Sequence, residues 1–178
     1  MNQQPVFILS GEQGAGKTTR LREVVTLLEE EKIYTFGFYA LGYWKNQIRS
    51  RFNLVDIRTG TSYRLCERAD TQQQNKSFVF YPETIRKGEA LLLSERGKPN
   101  TLAVIDEIGH FELNGKIWAP VFSKLVTQRQ PVFITVRKKF LENVMTYFHL
   151  TPAGIYRVNQ PADHIARDIL QKLHSVIA

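Results

Sequence analysis

Near the N-terminus, Gly11-Glu12-Gln13-Gly14-Ala15-Gly16-Lys17-Thr18 has the spacing G-x-x-x-x-G-K-[ST]. That spacing suits one task. The glycines let the backbone wrap an anion with several N–H groups pointing inward, and the helix that follows presents its positive end. In such a loop Lys17 adds a point charge at the outer phosphates of a nucleoside triphosphate and is expected to face solvent. Thr18 offers its hydroxyl to Mg2+, and Thr19 reaches the α-phosphate from the first helical turn. The expected nucleotide-binding set is Gly11, Glu12, Gln13, Gly14, Ala15, Gly16, Lys17, Thr18 and Thr19. A glycine turn that caps a helix without a ligand is the alternative; the strand before it and the helix after it argue for the ligand.

A second constellation is Asp106-Glu107, which ends the apolar run Leu102-Ala103-Val104-Ile105. In open α/β sheets, ligands are met beyond the carboxyl ends of the strands. Asp106 is therefore expected to hold Mg2+ together with Thr18. Glu107 points elsewhere and can orient and deprotonate the water that attacks the γ-phosphate, unless it caps the next element or is simply solvated. Arg137, at the end of the run 132–136, is a candidate to stabilise charge on the γ-oxygens. Arg49 and Arg51 can line the same cleft, although at least one reads as an ordinary surface arginine. His110 reads as incidental. The catalytic candidates are thus Lys17, Glu107 and Arg137, the metal candidates Thr18 and Asp106, and the cofactor Mg2+.

Positioning these residues takes a sheet. Val6-Phe7-Ile8-Leu9 is an unbroken apolar run of the kind buried on both faces of a parallel sheet. Leu21, Val24, Val25 and Leu28 then recur at helical spacing, predicting a helix over 18–32, and 33–39 supplies a second strand. Between 42 and 81, short apolar runs at 52–57, 63–66 and 78–81 alternate with polar turns, the pattern of an inserted β-meander. Pro82 opens a helix that stops at Gly97, and a strand over 102–105 follows. A helix carrying Ile117, Val121, Phe122 and Leu125 has Pro120 in its first turn. Beyond it come a strand at 132–136, a helix with Leu141, Val144, Met145 and Phe148, a strand at 155–158, and a helix opened by Pro161. Alternating strands and helices predict an α/β fold with a mostly parallel sheet covered on both faces.

Composition sets outer bounds. The 178 residues are 43% hydrophobic and 23% charged, as in folded soluble proteins rather than disordered ones, and are read as one domain over 1–178. The net charge of +7 suits a triphosphate site and leaves a nucleic acid partner possible, but no run of five basic residues occurs. A single cysteine, Cys66, excludes an intrachain disulfide and fits a reducing cytoplasm. The first apolar run is too short for a signal peptide or a membrane span.

The P-loop, Gly37-Phe38-Tyr39, Arg49-Ser50-Arg51-Phe52 running to Asp56 and Thr59-Gly60, Ile105-Asp106-Glu107-Ile108-Gly109 with Glu112-Leu113, and Tyr156-Arg157-Val158 together resemble the THEP-type nucleoside-triphosphatases. The resemblance implies a RecA-like core in which the strand 132–136 lies between the P-loop strand and the Asp106 strand. It also implies slow hydrolysis of ATP, GTP and other triphosphates. The chain departs from the family pattern at His110-Phe111, usually proline and methionine, and at Ala40-Leu41-Gly42-Tyr43-Trp44. Besides a Mg-dependent triphosphatase, two other functions fit the residues. A nucleotide or small-molecule kinase needs an acceptor pocket and an arginine-rich lid, and a nucleotide-gated module binds nucleic acid or protein.

Overall fold

The apolar runs become the strands of one eight-stranded sheet. The computed structural model describes residues 4–69 and 78–177, so part of the insertion read at 42–81 lies outside the described residues. Thirteen elements follow in chain order: β1 (Gln4–Gly11), α1 (Lys17–Glu30), β2 (Tyr34–Lys45), β3 (Ile48–Asp56), β4 (Ser62–Arg68), β5 (Phe78–Phe80), α2 (Pro82–Leu93), β6 (Thr101–Ile105), α3 (Ala119–Thr127), β7 (Val132–Arg137), α4 (Leu141–Tyr147), β8 (Pro152–Arg157) and α5 (Ala162–Ile177). Across the sheet the order is β5-β4-β3-β2-β6-β7-β1-β8. From β2 to β8 every neighbouring pair is parallel, while β3, β4 and β5 extend the sheet by antiparallel pairing.

Both faces are covered, as continuous apolar strands require. Val6, Phe7, Ile8 and Leu9 are all fully buried. Val6 and Ile8 face a core built with α2, α3 and α4; Phe7 and Leu9 face the opposite core, closed by α1 and α5. Burying each such side chain contributes on the order of 1.5–3 kcal/mol, which is why two-sided burial holds β1 inside the sheet, between β7 and β8. Strand β7 pairs with β1 on one side and β6 on the other, the order the family resemblance implies.

The expected elements differ from the observed ones mainly at their ends. Strand β2 does not stop at Tyr39 but runs to Lys45, because its far half pairs with β3 through a tight turn at Asn46 and Gln47, both at positive φ. The meander is thus a continuation of the main sheet. Ile117 lies before α3 in a left-handed conformation, at φ 52°, and Phe148 follows α4 yet still packs on Phe122 with ring centroids 4.9 Å apart. Gly37 sits at φ 115°, where an added Cβ would collide with the Val104 carbonyl on the neighbouring strand β6; the backbones meet there as only glycine allows. Among the described residues, no helix is long and apolar enough to cross a membrane.

Candidate active site

Strand β1 ends at Gly11 and α1 begins at Lys17, so residues 12–16 form the loop between them. Gly14 and Gly16 adopt φ of 75° and 89°, and nothing lies within 4 Å of a Cβ built on either. These two glycines therefore serve backbone curvature rather than packing. Helix α1 has no side-chain cap and no acidic residue in its first turn, which leaves its N–H groups and positive end open to an anion. Lys17 is only 7% exposed, against the expectation that it faces solvent. It folds back across the loop and donates to the carbonyls of Gly11 and Glu12 at 3.2 and 2.9 Å. Burial holds its pKa below the ordinary lysine value.

Asp106 follows β6 and is 3% exposed. The Thr18 hydroxyl donates to its Oδ2 at 2.7 Å and the Thr135 hydroxyl to its Oδ1 at 2.6 Å; the Ala40 N–H reaches Oδ2 at 3.3 Å. Burial pushes its pKa above the usual carboxylate range, opposed by the bonds from Thr135 and Thr18. One carboxylate thereby ties α1, β7 and β2 together at the carboxyl edge of the sheet. Neither Thr135 nor the Ala40 N–H was picked out as its partner from sequence. A lone threonine near the end of the otherwise apolar 132–136 run was the available signal for the first; the second is a backbone group and leaves none.

Glu107 is turned away from Asp106's partners. Its Oε1 accepts from Arg137 Nε at 2.9 Å, with the two side chains 30% and 27% exposed. Arg137 Nη1 also donates to Gln13 Oε1 at 3.2 Å, linking the tip of β7 to the loop. Beyond Glu107 the chain is held by Glu112, which is 4% exposed and accepts from the N–H groups of Gly109 at 2.8 Å and Trp118 at 3.4 Å. Burial raises the Glu112 pKa to about 7. Glu112 was noted in sequence only as part of the family resemblance.

A cavity of about 730 Å³ spans these groups. Of the expected nucleotide-binding residues, Gln13, Gly14, Gly16, Lys17, Thr18 and Thr19 line it, while Gly11, Glu12 and Ala15 shape the loop without lining it. Asp106, Glu107 and Arg137 line it too. So does Arg49, whereas Arg51 lies over the Tyr43 ring, 4.3 Å from its centroid. His110, Phe111 and the stretch Ala40-Leu41-Gly42 are on the wall as well, so several of the departures from the family pattern gather at the cavity.

Known proteins resemble the chain throughout. The nucleoside-triphosphatase THEP1 of Methanopyrus kandleri is 28% identical over 134 residues, which is 74% of this chain and 73% of that one. The crystal structure of THEP1 from Aquifex aeolicus superimposes with a TM-score of 0.69 at 20% identity, covering 94% of this chain and 98% of that one. The solution structure of a human cancer-related nucleoside triphosphatase does so at 0.68 and 19%, covering 95% and 97%. These two share the fold. A family model described as NTPase matches residues 6–171, and by that match, running from the P-loop strand into the last helix, the chain belongs to the NTPase_1 family of NTPases.

Proposed function

We propose that the chain is a single-domain, magnesium-dependent nucleoside-triphosphatase over 1–178 that converts a triphosphate to diphosphate and phosphate in the cytoplasm. The observation that carries this is the 2.7 Å bond from Thr18 on the P-loop helix to Asp106 at the end of β6. It joins the first helical turn after the phosphate loop to the buried carboxylate at the end of the β6 strand, so the loop and the acid share one site. Slow turnover and breadth in base rest on the family resemblance, and ATP and GTP are the first substrates to try.

A hydroxyl and a carboxylate are hard oxygen donors, the chemistry that suits Mg2+, which takes one or two protein oxygens and fills its remaining positions with phosphate and water. Among the described residues no group of three or more His, Cys, Asp or Glu side chains could cage a metal, which fits an ion shared with the substrate. Thr18 and Asp106 would hold it. When bound, Mg2+ neutralises charge on the β- and γ-phosphates.

The chain's own groups do the rest. Loop N–H groups and the start of α1 receive the phosphates. Lys17 exchanges its two loop carbonyls for β- and γ-phosphate oxygens. Glu107 holds the attacking water and takes its proton, while Arg137, already on Glu107 and Gln13, orients the carboxylate and meets charge growing on the γ-oxygens. Phosphate release measured across ATP, GTP, CTP and UTP, with and without Mg2+, tests the reading beside Lys17→Ala. Expected is Mg-dependent release that falls to background in the variant. Equal release with and without the lysine would end it.

A further inference from the structure

The outer half of β2 and the start of β3 form a hairpin whose end belongs to neither core: none of residues 43–51 is part of them. Across that end Lys45 pairs in register with Ile48, Trp44 with Arg49 and Tyr43 with Arg51. Trp44 is 61% exposed, Ile48 47% and Tyr43 38%. Grouped exposure of large apolar side chains marks an interaction surface where single exposed residues do not. The surface is also one-signed, since from Lys32 to Val55 the sequence holds no acidic residue.

Each exposed ring carries a cation. The Arg49 guanidinium carbon lies 4.3 Å from the Trp44 ring centroid, and that of Arg51 lies 4.3 Å from the Tyr43 centroid. By strand alternation the two pairs stand on opposite faces of the hairpin. Neither arginine is in a salt bridge among the described residues. Glu67 faces Arg51 in register on β4, but it is taken by the Tyr81 hydroxyl and by Arg64. Arg51 Nε is buried without a hydrogen-bond partner, where buried polar groups are normally satisfied.

We infer that this hairpin end binds single-stranded nucleic acid, with bases stacked on Trp44 and Tyr43 and phosphates met by Arg49, Arg51 and Lys45. Rings that accept any base, interleaved with cations that follow a backbone, are what a single strand requires. An acidic peptide would use the charges and leave the rings idle. A duplex hides its base faces, and rings on opposite faces of a hairpin cannot both meet one rigid rod, whereas a flexible strand can round the hairpin end and reach both. The surface is separate from the phosphate loop, so phosphate release from a triphosphate tests the proposed function independently.

The chain reports on this surface itself. Of its two tryptophans, Trp118 is 3% exposed, so stacking of a base should quench the emission of Trp44. The experiment titrates the full chain with short oligouridylate and oligothymidylate, reading tryptophan emission and, with end-labelled strands, fluorescence anisotropy. Saturable quenching and binding are expected at low salt. Trp44→Ala should raise Kd about tenfold or more, while Trp44→Phe keeps a ring, holds Kd near the parent's and removes the quench. Arg51→Gln should reduce the slope of log K against log salt by about 0.7. An unchanged urea midpoint in each variant shows that the fold is kept. Absence of binding at low salt overturns the inference, and so does binding that Trp44→Ala and Arg51→Gln leave as in the parent. Quenching by UMP at the same nucleotide concentration, or a duplex bound as tightly as the single strand, also overturns it. So does a shift of Trp44 emission on phosphatidylserine vesicles with none on either oligonucleotide, which assigns the surface to a membrane.

Discussion

Asp106 and Glu107 are sequence neighbours with opposite surroundings. Asp106 is buried and accepts from two threonine hydroxyls and a backbone N–H; Glu107 is part-exposed and paired with Arg137. Their conservative variants should fail in different ways. Glu107→Gln keeps shape and hydrogen bonding but loses the base, so steady-state phosphate release should show kcat down by about a hundredfold or more with nucleotide affinity near that of the parent. Asp106→Asn should instead shift the Mg2+ concentration needed for half-maximal rate and weaken binding of the Mg complex. Identical magnesium curves for parent and Asp106→Asn would remove Asp106 from the metal site. At this scale the sequence was legible wherever the chemistry is local. The loop spacing and the pair of acids ending an apolar strand could be read directly. Thr135 and Ala40 could not be assigned to Asp106, because they reach it from separate strands, and the burial of Lys17 depends on carbonyls of its own loop that no spacing rule specifies.

The segment from Glu107 to Trp118 is positioned by two contacts that belong to elements rather than to chemistry. Trp118 is 3% exposed, its ring 4.5 Å from that of Phe38 on β2, and it abuts Gly88 on α2, where an added Cβ would lie 2.5 Å from Cη2 and 2.9 Å from Leu54 Cδ1. Gly88→Ala should therefore destabilise the fold by about 1–3 kcal/mol through overpacking, measured as a lower denaturation midpoint in urea. An unchanged midpoint would mean that α2 or Trp118 yields freely. The other contact is Glu112, whose pKa of about 7 in the folded chain stands above its ordinary 4.5. The folded state thus holds the proton more tightly, so this residue's contribution to stability is complete below pH 4.5 and is lost as pH rises through about 7. Glu112→Gln should flatten the dependence of unfolding free energy on pH across that window. A slope equal to the parent's would show that Glu112 does not titrate there. Element positions are readable from apolar spacing, but that spacing ends β2 at Tyr39, because the strand's outer half is held by pairing with β3 and not by burial on both faces.

For the molecule as a whole, a ligand bound only by the folded chain must raise its stability. At a hundred times Kd the gain is about 2.7 kcal/mol, or roughly 5–10 °C in Tm for a chain of this size. Mg2+ with a non-hydrolysable triphosphate should produce that shift in a thermal melt, EDTA should reduce it, and Lys17→Ala should abolish most of it. A melt insensitive to the triphosphate in the parent would count against the site as a whole. The placement of β1 has a further outcome, in the order of events during synthesis. Val6 pairs with Val132 on one side and Phe7 with Gly154 on the other, so β1, synthesised well before β7 and β8, waits for both before either edge is satisfied. Until then the phosphate loop has nothing to anchor it and β1 offers two bare, apolar edges to other chains. Such long-range pairing slows folding, and a nascent chain stalled before residue 132 would be both incapable of holding nucleotide and prone to aggregate.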